Sequence, residues 1–195
     1  MSLKSLSPLD GRYAASTEPL QPHFSEWALI KYRVHVEIEW LLMLSETPEI
    51  PEVRSFSPDE TRFLRQIAEG FDDVAAHRVK DIEKVTNHDV KAVEYFLKEK
   101  LANTSLEPER EWLHFACTSE DINNLSHALM LKGGIQDVWL SKAFAVVNRV
   151  SDLADEWLET PMLARTHGQT ASPTTVGKEF AVFVHRWNRQ LNQIA

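Results

Sequence analysis

Residues 118–159 read TSEDINNLSHALMLKGGIQDVWLSKAFAVVNRVSDLADEWLE, and the spacing of their apolar positions decides the fold class. Thr118 or Ser119 can supply a capping oxygen, and Glu120 and Asp121 stand at the positive end of the helix dipole. Helical spacing persists to Glu159, with a bend expected at Gly133-Gly134 and a stop at Pro161. A run of about 40 residues exceeds ordinary globular helices and points to an extended bundle.

Beyond this stretch, residues 161–172 read as an irregular crossing segment, and Ser172-Pro173 as the start of another helix. Phe180, Phe183, Val184, Trp187, Leu191 and Ile194 carry an apolar stripe up to Ala195, with no cap, glycine or proline after it. The stripe calls for a partner surface. The sequence reads as the N-terminal part of a longer protein, cut inside a helix.

Before residue 118 the pattern is also helical. Leu29, Ile30, Val34, Ile38, Leu41 and Leu42 predict a helix from about Ser25 to Ser45. Ser57-Pro58-Asp59-Glu60 is a capping box with proline at the first helical position, and its helix should stop at Gly70. Further helices are expected over Val74 to Lys84, Asp89 to Ala102 and Glu109 to Phe115. Turn signals fill the first 24 residues, which read as an arm. No strand run is evident. The expected architecture is all-α: an N-terminal helical domain over 1–117, then the start of a helical bundle over 118–195.

Composition narrows the function. A hydrophobic fraction of 43% suits a globular core, and a net charge of −8 argues against nucleic-acid or anionic-membrane binding. A small anionic ligand remains compatible, since a few cations and helix N-termini can hold one. Cys117 is the single cysteine, and Met1-Ser2-Leu3-Lys4 lacks the apolar stretch of a secretory signal, so a cytoplasmic setting is expected. P-loop, GxGxxG and His-Glu-x-x-His patterns are absent from the sequence. Glu111-Trp112-Leu113-His114 matches one half of a di-iron pair, but without a second copy no metal site is expected.

Four polar segments could carry chemistry. Asp10-Gly11 is a common turn pair, but Arg12 could clamp a phosphate or carboxylate, and Tyr13 could donate its hydroxyl or stack on a base. Thr86-Asn87-His88-Asp89 reads as a helix cap supplied by Thr86 or Asn87. Alternatively, His88 stands at an anion-binding helix mouth, with Asp89 orienting it or binding a ligand hydroxyl. In Cys117 to Asn124, capping leaves much of the run of hydroxyls, acids and amides unaccounted for, and a donor-rich anion site is the alternative. Cys117 itself reads better as a buried small residue than as a nucleophile. In Arg165-Thr166-His167-Gly168-Gln169, a lone loop histidine is ordinarily exposed or satisfied locally. Here it stands between cationic and amide neighbours, beside a glycine, and it could be a general acid.

Together these segments resemble the aspartase/fumarase superfamily of lyases. T-S-E-D-I at 118–122 and R-T-H-G-Q at 165–169 resemble two of its three signature regions. S-P-L-D-G-R-Y at 7–13 and T-N-H-D-V-K-A-V-E-Y-F-L-K-E-K at 86–100 resemble its bacterial purine-pathway branch. Thr170 departs from a common proline after the glutamine, which should alter loop stiffness rather than chemistry. The resemblance implies a homotetramer with shared sites and no metal or organic cofactor. It implies β-elimination of fumarate from adenylosuccinate, giving AMP, and from SAICAR, giving AICAR. By the same resemblance His167 is the general acid and His88 a second active-site histidine. Arg12 and Tyr13 bind the nucleotide; Asn87 and Asp89 line its pocket; Thr118 and Ser119 hold the succinyl carboxylates; Thr166 and Gln169 also bind substrate. The serine base of the superfamily lies in an S-S-x-M-P-x-K-x-N loop, a pattern not found in these 195 residues. Another fumarate-releasing lyase, or a non-catalytic helical module, are the alternatives.

Overall fold

The computed structural model describes residues 5–194; Met1–Lys4 and Ala195, over which the signal and unbroken-helix readings extend, lie outside them. By packing, the chain forms two compact units, 1–133 and 134–195, a different line from the functional division at 117/118.

In the first unit the arm is not bare. It carries the short turns α1 (Ala14–Thr17) and α2 (Gln21–Phe24) on either side of a 3₁₀ turn. The centre of the unit is α3 (Glu26–Glu46), whose first turn is capped where Ala28 N–H donates to Ser25 Oγ at 3.1 Å. Buried residues lie all around α3, so it is an internal helix rather than an amphipathic surface one. Around it stand α4 (Pro58–Glu69), α5 (Asp73–Thr86) and α6 (Asp89–Leu101), followed by a 3₁₀ turn at Glu107–Trp112. Ile38, Leu41, Leu64, Val79, Phe96, Leu97 and Leu101 fill the core between them.

The capping box forms as the sequence predicts. Glu60 N–H donates to Ser57 Oγ at 3.2 Å, Ser57 N–H donates to Glu60 Oε2 at 2.9 Å, and the helix ends at Gly70. On the other side of α3, a smaller cluster of Val36, Val90 and Ile122 seats the start of α6 against α7 (Ser119–Gly133).

The second unit opens with a π-helical turn at Gly134–Trp139, where the sequence predicts a bend. The helix α8 (Leu140–Glu156) follows, and α9 (Val176–Ile194) packs against it. Between them the expectation of an irregular segment is corrected. Residues β1 (Pro161–Thr166) and β2 (Gln169–Thr175) form an antiparallel hairpin, and α9 begins at Val176 rather than at Ser172-Pro173. Two facts explain this. His167 and Gly168 both adopt positive φ (52° and 77°), the two-residue turn that matches strand twist. Pro173 sits opposite Leu163, where the register slips before Arg165, so its missing N–H is tolerated. Apart from this hairpin the described fold is helical, as expected. No described helix is long and apolar enough to cross a membrane.

Candidate active site

The mouth of α6 is built differently from the sequence expectation. Asn87 is the left-handed residue that ends α5 (φ 51°), and Thr86 Oγ1 accepts from His88 N–H at 3.3 Å. The cap of α6 is His88 itself, whose Nδ1 accepts from Lys91 N–H at 3.2 Å. A neutral ring that accepts through Nδ1 carries its proton on Nε2, and the side chain is half-exposed. The capping bond thus uses only one edge of the imidazole.

Asp89 does not orient the His88 ring by a hydrogen bond. Its Oδ1 accepts from its own neighbour, Val90 N–H, at 2.9 Å, and its Oδ2 accepts from Arg33 Nη2 at 2.6 Å. Burial alone would raise its carboxyl. The Val90 N–H and the Arg33 guanidinium outweigh that and hold it below the ordinary carboxylate range.

Arg33 is the residue that sequence reasoning missed. It is 6% exposed, and its Nε donates to Asn123 Oδ1 at 2.9 Å on α7. The second and third polar segments are therefore joined by one guanidinium from α3. One signal stood in the sequence: Arg33 and Glu37 interrupt a helix whose neighbours on both sides are apolar.

Thr118 and Asp121 close the mouth of α7. Asp121 Oδ2 accepts from Thr118 N–H at 2.7 Å and from Thr118 Oγ1 at 2.9 Å, while Ser119 begins the helix, partly exposed. These bonds lower the Asp121 carboxyl, the backbone N–H contributing most. Upstream, Glu37 is fully buried and its Oε1 lies 2.6 Å from His114 Nδ1. Burial pushes the Glu37 carboxyl up against the opposing pull of His114. Trp40 Nε1 donates to Phe115 O at 2.8 Å, so α3 also grips the kinked backbone at His114–Ala116, both left-handed. Glu111, by contrast, pairs with Lys98, so Glu111 and His114 serve different partners. Burial, with the charges of Glu37 and Asp121, raises the Cys117 thiol, which disfavours a nucleophilic thiolate.

Arg12 and Tyr13 follow the expected turn, in which Tyr13 N–H donates to Pro8 O at 2.9 Å. Both are exposed, with the Arg12 guanidinium 5.7 Å from the Tyr13 ring centre. Among the described residues Arg12 makes no ion pair, and no hydrogen bond joins this segment to His88, Asp89, Thr118 or Ser119.

The fourth segment lies in the second unit and is described by itself. His167 occupies the tip of the β1–β2 hairpin, exposed, with Thr166 paired to Gln169 beneath it. Among the described residues its imidazole makes no hydrogen bond. The hairpin is rooted where Val176 N–H donates to Thr160 O at 3.0 Å and Gly177 N–H donates to Trp157 O at 2.9 Å.

A family model described as "Lyase" matches residues 11–195. A Vibrio cholerae protein named adenylosuccinate lyase is 52% identical over 195 residues, all of this chain and 43% of the relative. The Escherichia coli protein of that name is 48% identical over 194 residues, 99% of this chain and 42% of the relative. One from Dictyostelium discoideum is 43% identical, again over 99% and 42%. The chain thus spans well under half the length of these relatives. Among solved structures, a fumarate lyase from Mesorhizobium aligns with a TM-score of 0.68 at 22% identity, covering 91% of this chain and 40% of that one. A β-carboxy-cis,cis-muconate cycloisomerase from Acinetobacter aligns at 0.66 and 19%, covering 91% and 39%. At those identities the likeness concerns the fold.

Proposed function

The chain belongs to this lyase family, and from that premise we propose that the protein eliminates fumarate from adenylosuccinate, giving AMP, and from SAICAR, giving AICAR. The observation that carries the reading is identity of 43–52% to proteins named adenylosuccinate lyase across essentially the whole chain.

Each segment then has a chemical part. A base takes the proton from the carbon beside a succinyl carboxylate, leaving a dianionic aci-carboxylate. The C–N bond breaks, its electron pair goes to the purine or carboxamide nitrogen, and protonated His167 donates to that nitrogen. An exposed imidazole at a hairpin tip is free of internal partners and suits this transfer. Thr118 and Ser119 hold carboxylates at the mouth of α7, where backbone N–H groups and the helix dipole favour negative charge. His88 presents Nε2 and Asp89 accepts a ligand hydroxyl, with Asn87 beside them. Arg12 and Tyr13 take the phosphate and nucleoside portion. Thr166 and Gln169 flank the acid. The serine base belongs to the full-length protein, whose proposed state is a cytoplasmic homotetramer working without cofactor.

The fold alone does not choose among lyases, since proteins named for different reactions share it. Offering the full-length protein adenylosuccinate, SAICAR, argininosuccinate and malate tests the reading. Fumarate release from the first two is expected. Release from argininosuccinate or malate alone, or from none, would overturn it.

A further inference from the structure

We propose that Arg33 is the positioning residue of the site: it bonds Asp89 and Asn123 at once and thereby sets the mouth of α6 against the first turn of α7. The inference rests on the reading above for its substrate, but not for its geometry.

The geometry is specific to a guanidinium. Nε and Nη2 form one edge of a planar fork with two parallel donors. In most such forks both donors meet a single carboxylate. Here the edge is split, with Nη2 on Asp89 Oδ2 at 2.6 Å and Nε on Asn123 Oδ1 at 2.9 Å. The two acceptors lie 56 and 90 residues away in sequence, on different helices. One rigid group therefore fixes the distance between them. The same helix adds Glu37 to His114 and Trp40 to Phe115 O, so positions 37 and 40 pin the backbone just ahead of the third polar segment. Below them, Val36 packs with Val90 and Ile122, the apolar counterpart of the same joint.

The charge matters as well. Asp89 stands half-exposed at a helix mouth where an anionic substrate would arrive. Unpaired, its carboxylate would repel phosphate or succinate. Paired with a buried guanidinium, it stays an acceptor for a hydroxyl while its charge is balanced. The Asn123 oxygen, held on Nε, likewise fixes which way its amide faces. Arg33 itself is too buried to meet a ligand broadly, so its effect passes through Asp89 and Asn123.

The test uses the full-length protein with Arg33→Lys, which keeps the charge and loses the fork, and Asn123→Ala, which removes one arm. Arg65→Lys, at the exposed pair with Glu39, is the control. Fumarate-release kinetics and amide hydrogen exchange are measured on each. Arg33→Lys should raise KM for adenylosuccinate about tenfold or more, the scale of one lost hydrogen bond to a charged group. Exchange should rise at the first-turn amides of both α6 and α7 and hold in α4 and α5. Asn123→Ala should raise KM less and loosen only α7, and Arg65→Lys should change neither. Unchanged KM and exchange in either Arg33→Lys or Asn123→Ala would overturn the proposal, as would faster exchange with KM unchanged. If the wild-type protein releases no fumarate, the functional reading fails and exchange alone decides: loosening of both mouths upholds Arg33, and loosening of neither, or of the whole unit, overturns it.

Discussion

Gly177→Ala tests how the hairpin carrying His167 is rooted. Gly177 stands in the first turn of α9, against the end of α8. A β-carbon there would lie 2.3 Å from Ala154 O, 2.6 Å from Leu158 Cα and 2.7 Å from Leu158 N. All three are backbone atoms, so no side-chain rotation relieves the overlap. Restoring ordinary contact, near 3.4 Å, requires the helices to part by about 1 Å. That shift stretches the 2.9 Å bond from Gly177 N–H to Trp157 O beyond useful length. Overpacking costs about 1–3 kcal/mol, and the lost bond adds about 1 kcal/mol, so the total is about 3 kcal/mol. For a chain of this size that corresponds to a fall of about 6–12 °C in the melting transition. Thermal unfolding followed by circular dichroism reads it directly. Catalysis should suffer beyond stability, because a displacement of about 1 Å at the hairpin root misplaces the acid and can cost on the order of 10² in kcat/KM well below the melting range. A transition within about 1 °C of the wild type would refute the packing argument. A lower transition with full turnover would refute the idea that this root positions His167.

Three further outcomes follow from the same geometry. His167→Ala should slow fumarate release by about 10²-fold or more with the fold intact by circular dichroism, and an unchanged rate would remove it as the acid. His88→Asn keeps a side chain able to cap α6 whereas His88→Ala does not; both should lose turnover, but only the alanine variant should also lose about 1 kcal/mol of stability in urea titrations. The Glu37 carboxyl is raised on folding, so its contribution to stability is fully present below its ordinary value of 4.5 and is lost as pH rises through its folded value. Glu37→Gln does not ionise, so its melting temperature relative to wild type should climb with pH from 4.5 toward neutrality; a difference that falls or stays flat contradicts the assigned burial.

What the sequence makes legible is local. Ser57 and Glu60 are three residues apart, so their reciprocal bonds follow from spacing alone, and the apolar rhythm of α3 is as plain. The hairpin was hidden because proline at 161 and 173 and glycine at 168 are all breakers by local rules. Only the pairing of Pro173 across from Leu163 makes them compatible with strands. In the site, the polar segments were visible as unusual runs, but their wiring was not. Arg33 stands four residues before Glu37, the ordinary spacing of a helical ion pair, yet its acceptors are Asp89 and Asn123, on helices brought together by the core. His88 is the converse case: its capping bond spans only three residues, yet an imidazole is a rarer cap than the hydroxyl of Thr86 or the amide of Asn87 beside it.

The two helix mouths also differ in what they offer an anion, and under the proposed function the difference bears on how substrate would be admitted. At α6 the resident carboxylate, Asp89, is balanced by Arg33, so the mouth is open to a further negative group. At α7 the resident carboxylate, Asp121, is exposed and already accepts the N–H and hydroxyl of Thr118. It occupies the place a substrate carboxylate would take at that residue. Its lowered carboxyl keeps it charged, so it will not yield by protonation near neutral pH. A succinyl carboxylate bound by Thr118 must therefore displace Asp121 by rotation of the side chain, or use Ser119 and the neighbouring N–H groups while Thr118 stays capped. The first route makes binding an exchange of one carboxylate for another, with little net change at Thr118 and a new charge to be balanced by cations from elsewhere in the assembled site.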